Sequence, residues 1–229
     1  MDQREFDGYS ASYEDLLRDP IRDRFAGASD FFHRRKRDLI RDYLRSAGDT
    51  HRWSYLDLGC GKGELATLLQ EDFGEVLGTD PSSQMMESIR GFDTRVQKDP
   101  AVIPFEDGRF DFVTIVCVLH HVPPRERPAL MAEVRRVLKP GGRVSIIEHN
   151  PWNPATRLIV SRTPVDASAV LLRANESVRL LRHTGFIPER KEFFLYLPER
   201  LYRRMAGFEK RLSRLPLGGQ YAVFGQTPV

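Results

Sequence analysis

Short apolar runs alternate with longer amphipathic stretches through the middle of the chain. The runs predict five strands, over residues 55–59, 75–80, 94–99, 110–117 and 143–149. The stretches between them have the 3.6-residue period of helices. Strands and helices that alternate with short connections are typical of a parallel sheet covered by helices on both faces.

Both ends of the chain depart from this alternation. Residues 1–50 are polar with scattered Phe, Leu and Ile, which predicts amphipathic helices that form an N-terminal cap over a core at 51–149. Residues 150–165 contain prolines and are predicted as a loop. A helix is expected over 175–183. Two last strands are expected over 191–197 and 221–226, with a basic amphipathic helix between them. We therefore predict a single domain over residues 1–229, with residues 150–229 on the substrate side.

Composition narrows the class of protein. The 229 residues are 41% hydrophobic and 29% charged, and they include two cysteines. This balance is typical of a globular chain and argues against disorder or a disulfide scaffold. The apolar stretch 112–119 is too short to span a bilayer, and the charged N-terminus does not resemble a signal peptide. We expect a cytoplasmic protein.

The positive charge is concentrated near the C-terminus. Residues 189–229 carry a net charge of +4, whereas residues 1–188 carry −1. Within Glu199 to Leu215, apolar residues recur at helical spacing and the other face is rich in Arg and Lys. Two interpretations stay open: the apolar stripe packs on the sheet or the N-terminal helices, or it touches an anionic membrane. The stripe consists of Leu201, Met205, Phe208, Leu212 and Leu215.

The turn after the first strand contains three alternating glycines, Gly59, Gly61 and Gly63. Glu64 stands where the dinucleotide fingerprint needs its third glycine, so this loop is of another kind. Glycines let a backbone turn approach a ligand closely, and the helix behind them favours an anionic group. Asp80 ends the second predicted strand, where a carboxylate can accept the hydroxyls of a ribose. Asp80 could also cap the following helix.

Five segments taken together resemble the class I S-adenosylmethionine-dependent methyltransferases, in particular the branch that includes the ubiquinone and menaquinone methyltransferases. The segments are 57–63 (DLGCGKG), 78–82 (GTDPS), 103–111 (IPFEDGRFD), 118–122 (VLHHV) and 138–142 (LKPGG). The resemblance implies a doubly wound, mostly parallel, seven-stranded Rossmann-like α/β sheet with a helix inserted before the last strand. It also implies S-adenosylmethionine as cofactor and S-adenosylhomocysteine as product.

The resemblance assigns cofactor roles to residues at strand ends. Asp80 would bind the ribose hydroxyls, Asp99 would accept the adenine amino group, and Cys117 with Val118 would line the sulfonium side. Pro100 departs from the pattern because it has no N–H to donate to the ring. The full expected cofactor set is Asp57, Gly59, Cys60, Gly61, Gly63, Asp80, Pro81, Met85, Asp99, Pro100, Cys117 and Val118.

Histidines near the predicted strand ends are the candidates for acceptor chemistry. His149, and after it His121, are expected to remove a proton from a hydroxyl acceptor, because imidazole titrates near neutral pH. A purely structural role in orienting a loop is the alternative. Tyr9, Tyr13, His120 and Asn150 are expected at the substrate. We expect no metal, because no spacing of His, Cys, Asp and Glu matches a ligand set.

These residues predict a methyltransferase that acts on a small or lipid-linked acceptor, at oxygen. An RNA methyltransferase and a non-catalytic scaffold of this family are the alternatives. The segment 116–121 (VCVLHH) lacks the Asn-Pro-Pro-Tyr type of motif of base methylation, which argues against nucleic acid. Peripheral membrane contact through Glu199 to Leu215 is possible on this pattern, and the pattern leaves the oligomeric state open.

Overall fold

The computed structural model describes residues 7–10, 12–99 and 101–229. Within these residues seven strands form one sheet in the order β3-β2-β1-β4-β5-β7-β6. All neighbouring strands are parallel except β7, which runs antiparallel to both β5 and β6. The predicted doubly wound, mostly parallel sheet is confirmed. The strands are β1 Ser54–Leu58, β2 Glu75–Asp80, β3 Asp93–Val96, β4 Phe110–Val116, β5 Leu138–His149, β6 Ile187–Phe194 and β7 Gln220–Gln226.

The helices connect these strands and cover the sheet. In the described part of the chain, no helix is long and apolar enough to cross a bilayer. The helices are α1 Tyr13–Leu16, α2 Pro20–Phe25, α3 Asp30–Leu44, α4 Glu64–Leu69, α5 Ser83–Met86, α6 Arg127–Val137, α7 Pro154–Arg162, α8 Ala174–His183 and α9 Glu199–Leu212.

The core lies on the two faces of the sheet. On one face α6 and α8 bury Val134 and Leu181 against Leu56 of β1. On the other face α3 and α4 bury Ile40 and other residues against Tyr55 of β1. Adjacent residues of β1 therefore point to opposite layers, as the period of two in a strand requires. Because both faces are covered, the central strands are mostly apolar, and the buried Asp57, Thr114 and Glu148 are exceptions.

The segment after β5 differs from the prediction. Residues 150–165 were expected as a loop, but Pro154–Arg162 form α7. The side chain of Asn153 accepts the N–H of Thr156 at 3.0 Å, and Pro154 occupies the first helical turn. An N-cap asparagine followed by proline is a favourable helix start, because proline lacks only an N–H that would be unpaired there.

Two other boundaries also differ from the predicted ones. β3 ends at Val96, so Asp99 lies in the turn beyond the strand. α5, which follows β2, is a single short turn of helix, Ser83–Met86. β5 begins at Leu138, and the pairing of β4 with β5 shifts register between Phe110 and Phe112. The Lys-Pro-Gly-Gly turn is thus accommodated at an irregular start of β5.

The predicted N-terminal cap divides into two parts. α3 belongs to a regular layer of the sheet, since it packs beside α4. α1 and α2 instead line a cavity beyond the carboxyl ends of the strands. The winding reverses between β1 and β4, which is where ligands bind in open sheets of this kind.

The orientation of α9 decides between the two interpretations of its apolar stripe. Leu201, Met205, Phe208 and Leu215 are between 41% and 49% exposed. The residue that α9 buries is Glu209. The interpretation in which the stripe packs on the sheet or on the N-terminal helices is therefore wrong, because α9 docks through a polar face.

Candidate functional site

The glycine loop between β1 and α4 has a backbone that only glycine adopts readily. Gly59, Gly61 and Gly63 have φ angles of 73°, 53° and 75°, in the left-handed region. A Cβ on Gly59 would lie 2.4 Å from Cγ2 of Val118. The N–H groups of Gly59 and Cys60 donate to the carbonyl of Thr79 at 2.8 and 3.1 Å. The loop is thereby fixed against β2, with its open side toward the cavity.

Asp80 holds the same loop from the end of β2. Its Oδ2 accepts the N–H of Gly61 and its Oδ1 accepts the N–H of Ser82, both at 2.9 Å. Burial raises the pKa of Asp80, although these two hydrogen bonds lower it. Each oxygen of a carboxylate has a second lone pair, so both can accept a further hydroxyl.

Asp57 lies at the end of β1 beneath the loop. Its Oδ1 accepts the hydroxyl of Thr114 at 2.7 Å, and only 3% of the residue is exposed. Burial raises the pKa of Asp57 to about 6. Asp57 lines the cavity together with Gly59, Cys60 and Gly61.

The expected adenine side lies apart from this cavity. Met85 is buried beside Gly61, and Pro81 is buried next to Asp80. Asp99 is exposed, and its Oδ1 accepts the N–H of Ala101 at 2.8 Å. Pro100 lies outside the described residues. The roles expected for Asp99 and Pro100 stay predictions.

Cys117 marks the end of β4 with an unusual backbone. Its φ of 56° lies in the left-handed region, which a non-glycine residue rarely adopts. Its N–H donates to the carbonyl of Ile147, and its sulfur lies 3.6 Å from Nε2 of Gln220. Burial raises the pKa of the thiol. Cys117 therefore faces the cavity as a neutral thiol, and Val118 packs behind it against Gly59.

Three histidines and two acids meet where β4 and β5 end. We call them the histidine–carboxylate cluster: His120, His121, Glu148, His149 and Asp166. Glu148 is fully buried and accepts the N–H groups of Val118 and Leu119 at 3.1 and 2.7 Å. Its Oε2 also accepts the Nδ1–H of His120 at 2.5 Å. Burial alone would raise the pKa of Glu148, but the charge and the hydrogen bond of His120 hold it below the ordinary value.

The other members of the cluster face the cavity. Oδ1 of Asp166 lies 3.3 Å from Nε2 of His120 and 3.5 Å from Nε2 of His121. The ring of His149 lies 5.3 Å from that of His120. Burial, and after it the nearby charge of His120, lower the pKa values of His121 and His149 to about 4. Both imidazoles are therefore neutral at neutral pH.

Not all expected substrate residues reach this site. Asn150 is fully buried outside the cavity lining, and its amide donates to the carbonyls of Pro216 and Gly218 at 3.0 and 2.8 Å. The structure thus gives Asn150 a role in tying β5 to the turn before β7, because its donors are both used there. Tyr13 lines the cavity and burial raises its pKa, whereas Tyr9 lies outside the lining. His120 lines the cavity but is 1% exposed, with both ring nitrogens close to carboxylates.

Glu148 and Asp166 are the residues that the sequence analysis missed. An acid inside the apolar strand 143–149 is a signal that could have pointed to Glu148. Asp166 gives no such signal, because 46 positions separate it from His120 and an unpredicted helix intervenes. His120, His121 and Asp166 each place one atom of a metal-ligand type within 4.8 Å of the others, a grouping that no spacing in the sequence indicates.

The cavity has a volume of about 990 Å³ and connects the glycine loop to the cluster. Small-molecule sites usually occupy roughly 300–1,000 Å³, so a cofactor and a small acceptor both fit. Asp57, Gly59 and Cys117 line this cavity together with His121, His149 and Asp166. α1, α2 and α7 cover the cavity with side chains that include Ile21 and Ile159.

Comparisons with known proteins agree with this geometry. A family model described as "Methyltransferase domain" matches residues 56–146. A demethylmenaquinone methyltransferase of Thermus thermophilus is 32% identical over 76% of this chain and 82% of its own length. A ubiquinone/menaquinone biosynthesis C-methyltransferase of Desulfotalea psychrophila is 35% identical over 52% of this chain and 50% of its own length. The chain spans about half the length of several such curated relatives.

A solved structure shows that the fold is shared as well. A SAM-dependent methyltransferase from Thermotoga maritima superposes with a TM-score of 0.68 at 19% identity, over 98% of this chain and 99% of the other. The glycine loop with its left-handed backbone, and the cavity it borders, fit S-adenosylmethionine as the cofactor of this family. The chain belongs to the class I S-adenosylmethionine-dependent methyltransferases.

Proposed function

We propose that this protein methylates a hydroxylated small molecule of the quinol type. One observation carries the proposal: the same cavity is lined by the glycine loop, by Cys117 and by a neutral histidine, His149. The names of the relatives, which include demethylmenaquinone methyltransferases, support the class of acceptor.

The glycine loop and two carboxylates are proposed to hold the cofactor. S-adenosylmethionine supplies a methyl carbon bonded to a positively charged sulfur. Gly59 and Gly61 allow close backbone approach, and Asp57 places a carboxylate at the same end of the cavity. Asp80 has one free lone pair on each oxygen for the ribose hydroxyls, and the N–H groups of Gly61 and Ser82 fix its orientation.

His149 is proposed as the base. An imidazole that is neutral at neutral pH can take the proton of an acceptor hydroxyl, which makes the acceptor oxygen a better nucleophile. Burial and the charge of His120, which lower the pKa of His149, make it a weaker base than a free imidazole. We take oxygen as the methylated atom. Loss of the same proton also raises the electron density at the ring carbons of a quinol, so methylation at carbon is the competing outcome. The name of the Desulfotalea relative, a C-methyltransferase, favours methylation at carbon.

The outer surface of α9 is the feature that favours a lipid-linked acceptor. We define the α9 surface as Leu201, Met205, Phe208 and Leu215 together with Arg200, Arg204, Arg211 and Arg214. Its apolar members are about half exposed, and its arginines have no ion-pair partner among the described residues. A helix with exposed apolar residues beside arginines can lie in the interface of an anionic bilayer. We therefore propose that α9 rests on an anionic lipid surface and delivers an acceptor held there.

Product analysis tests the proposed function. The purified chain is incubated with isotopically labelled S-adenosylmethionine and, separately, with a reduced short-chain naphthoquinone, a catechol and a total RNA pool. We expect label in the naphthoquinol product, and mass spectrometry with NMR then locates it on oxygen or carbon. Label only in RNA, or no transfer to any acceptor although the cofactor binds, would contradict the proposal.

Two histidine variants distinguish a role of His149 in the reaction from a purely structural role. His149→Ala should lower turnover roughly 100-fold or more, because acid–base groups contribute about that much, and leave the affinity for S-adenosylmethionine unchanged. His51→Ala is the matched control, since His51 is exposed and distant from the cavity lining. Equal turnover in both variants would contradict the proposed role of His149 as the base.

A further inference from the structure

We propose that His120, His121 and Asp166 form a binding site for a divalent transition-metal cation of the zinc class, at the acceptor end of the cavity. One ligand atom from each residue lies within 4.8 Å of the others. Imidazole nitrogens with one carboxylate oxygen are a donor set that suits zinc better than magnesium, which prefers oxygen ligands alone. No ion is needed to bring these side chains together, because the strand ends and the turn after α7 already do so.

The distances in this group match those of a coordination sphere. Oδ1 of Asp166 lies 3.3 Å from Nε2 of His120 and 3.5 Å from Nε2 of His121. Two ligands of a tetrahedral zinc site, each about 2.0–2.1 Å from the metal, stand about 3.3–3.4 Å apart. Both separations from Asp166 are close to that edge length, and one ligand nitrogen of each histidine lies within 4.8 Å of the other, so a shift of the two imidazoles toward each other would admit a cation between the three atoms.

The contacts of Asp166 are longer than the bond between His120 and Glu148. A charge-assisted bond between an imidazole and a carboxylate is normally about 2.7–2.9 Å long. The pair of His120 with Glu148 is shorter than this, at 2.5 Å, whereas Nε2 of His120 and Nε2 of His121 lie 3.3 and 3.5 Å from Oδ1 of Asp166. The contact of His120 with Asp166 is thus a long hydrogen bond, which a cation bound by both residues would replace.

Glu148 supplies the outer support that metal-binding histidines usually have. A ligating histidine commonly donates its second ring N–H to a carboxylate, which fixes the ring and makes the ligating nitrogen more basic. Nδ1 of His120 donates to Glu148, so Nε2 is the nitrogen directed at Asp166. The N–H groups of Val118 and Leu119 hold Glu148 in turn. A divalent cation would displace the proton that Nε2 of His120 carries in its charged form, and its own charge would then balance the carboxylates of Glu148 and Asp166.

Three protein ligands leave one position of a tetrahedral cation open, as in zinc sites that bind substrates. His120, His121 and Asp166 line the same cavity as Cys117, so that position faces the place of the acceptor. The ligand class that fits it is an oxygen anion, such as the deprotonated hydroxyl of a quinol. Cation binding stands on the geometry alone, whereas this use of the cation rests on the proposed function.

Calorimetric titration of the full chain with Zn²⁺, after treatment with a chelator and its removal, tests the site. We expect one equivalent to bind, and we expect Mg²⁺ to give no signal. His121→Ala and Asp166→Asn should each weaken Zn²⁺ binding at least tenfold. His183→Ala is the matched control, because His183 is exposed on α8, and it should bind as the parent chain does.

Cobalt substitution gives a second readout that does not depend on turnover. Co²⁺ bound by two imidazoles and a carboxylate should show visible absorption bands of a four-coordinate ion, and these should disappear in His121→Ala while circular dichroism shows the variant folded. Zn²⁺ binding that is absent, or unchanged in both ligand variants, would overturn the site. Zn²⁺ binding without transfer to any quinol would leave the site standing and contradict the proposed function instead.

Discussion

The guanidinium of Arg35 donates to the carboxylate of Glu209 at 2.6 Å, in an ion pair that is almost wholly removed from solvent. It joins α3, which packs on the sheet, to α9, which is the most basic helix of the chain. Glu209 also accepts the N–H groups of Tyr196 and Leu197, both at 3.1 Å. The guanidinium lies 3.8 Å from the centre of the Tyr202 ring. α9 is thus anchored by charge and stacking on its inner face, which leaves its apolar residues outside.

Removing one partner of this pair should destabilise the protein. Glu209→Ala leaves the charge of Arg35 buried without its carboxylate, and we expect the free energy of unfolding to fall by about 3 kcal/mol. Urea denaturation measures the change. Asp15→Ala is the control, because the Arg18–Asp15 pair is exposed and contributes little. A Glu209→Ala variant as stable as that control would show that α9 is held by other contacts.

The same pair explains where the sequence analysis succeeded and where it did not. Local periodicity predicted five central strands and the helical nature of α9, because alternation of apolar residues reports burial directly. The periodicity could not predict which face of α9 packs on the protein. An apolar stripe is expected to face inward, but α9 buries Glu209 and leaves its apolar residues exposed. The long-range partner of Glu209 lies 174 positions away, beyond any local pattern.

The candidate site likewise has one part that the sequence predicts and one part that depends on long-range packing. The glycine loop, Asp57 and Cys117 lie within short motifs, and the structure brings them to one cavity as expected. The contact of His120 with Asp166 depends on how α7 returns the chain to the strand ends. The predicted loop is wrong there because Pro154 begins a helix, which Asn153 caps, instead of interrupting one.

Asp57 should make stability depend on pH. Its pKa is raised by burial to about 6, above the ordinary value of 3.8. The folded protein therefore binds this proton more tightly than the unfolded chain. The resulting stabilisation is complete below about pH 4 and is lost as the pH rises through about 6.

Asp57→Asn removes that dependence while it keeps an acceptor for the hydroxyl of Thr114. We expect the variant to exceed the parent chain in free energy of unfolding by about 3 kcal/mol at pH 7.5, with a difference that shrinks toward pH 4.5. Denaturation at several pH values checks this result. Asp93→Asn, at an exposed position, should show no such trend. A constant difference for Asp57→Asn across the range would mean that the carboxyl is not desolvated.

Asp80 should control cofactor affinity. Asp80→Ala removes the proposed acceptor of the ribose hydroxyls and releases the N–H groups of Gly61 and Ser82, which fix the loop. We expect the affinity for S-adenosylmethionine and S-adenosylhomocysteine to fall by about 2 kcal/mol, which is a factor of roughly 30. Calorimetry measures both ligands.

Asp99→Ala belongs in the same experiment, because its exposed carboxylate accepts only the N–H of Ala101 among the described residues. A loss of affinity there would support its expected contact with adenine. Unchanged affinity in Asp80→Ala would contradict the role of Asp80, whatever Asp99 does.

The α9 surface should carry the protein to anionic membranes. Its exposed leucines and phenylalanine can enter the headgroup region, and its arginines attract anionic lipid at roughly 1 kcal/mol each near the surface. We expect the chain to co-sediment with vesicles rich in phosphatidylserine at low salt, and to be released at high salt because screening shortens the reach of these charges. Leu201→Ser with Phe208→Ser should reduce binding at all salt concentrations, whereas Arg204→Ala with Arg211→Ala should weaken binding mainly at low salt and make it less sensitive to added salt. Ile187→Ser, at an exposed apolar residue of β6, is the matched control and should bind as the parent chain does. If the parent chain stays in the supernatant with anionic vesicles at low salt, α9 does not contact membranes, and an acceptor must reach the cavity from solution.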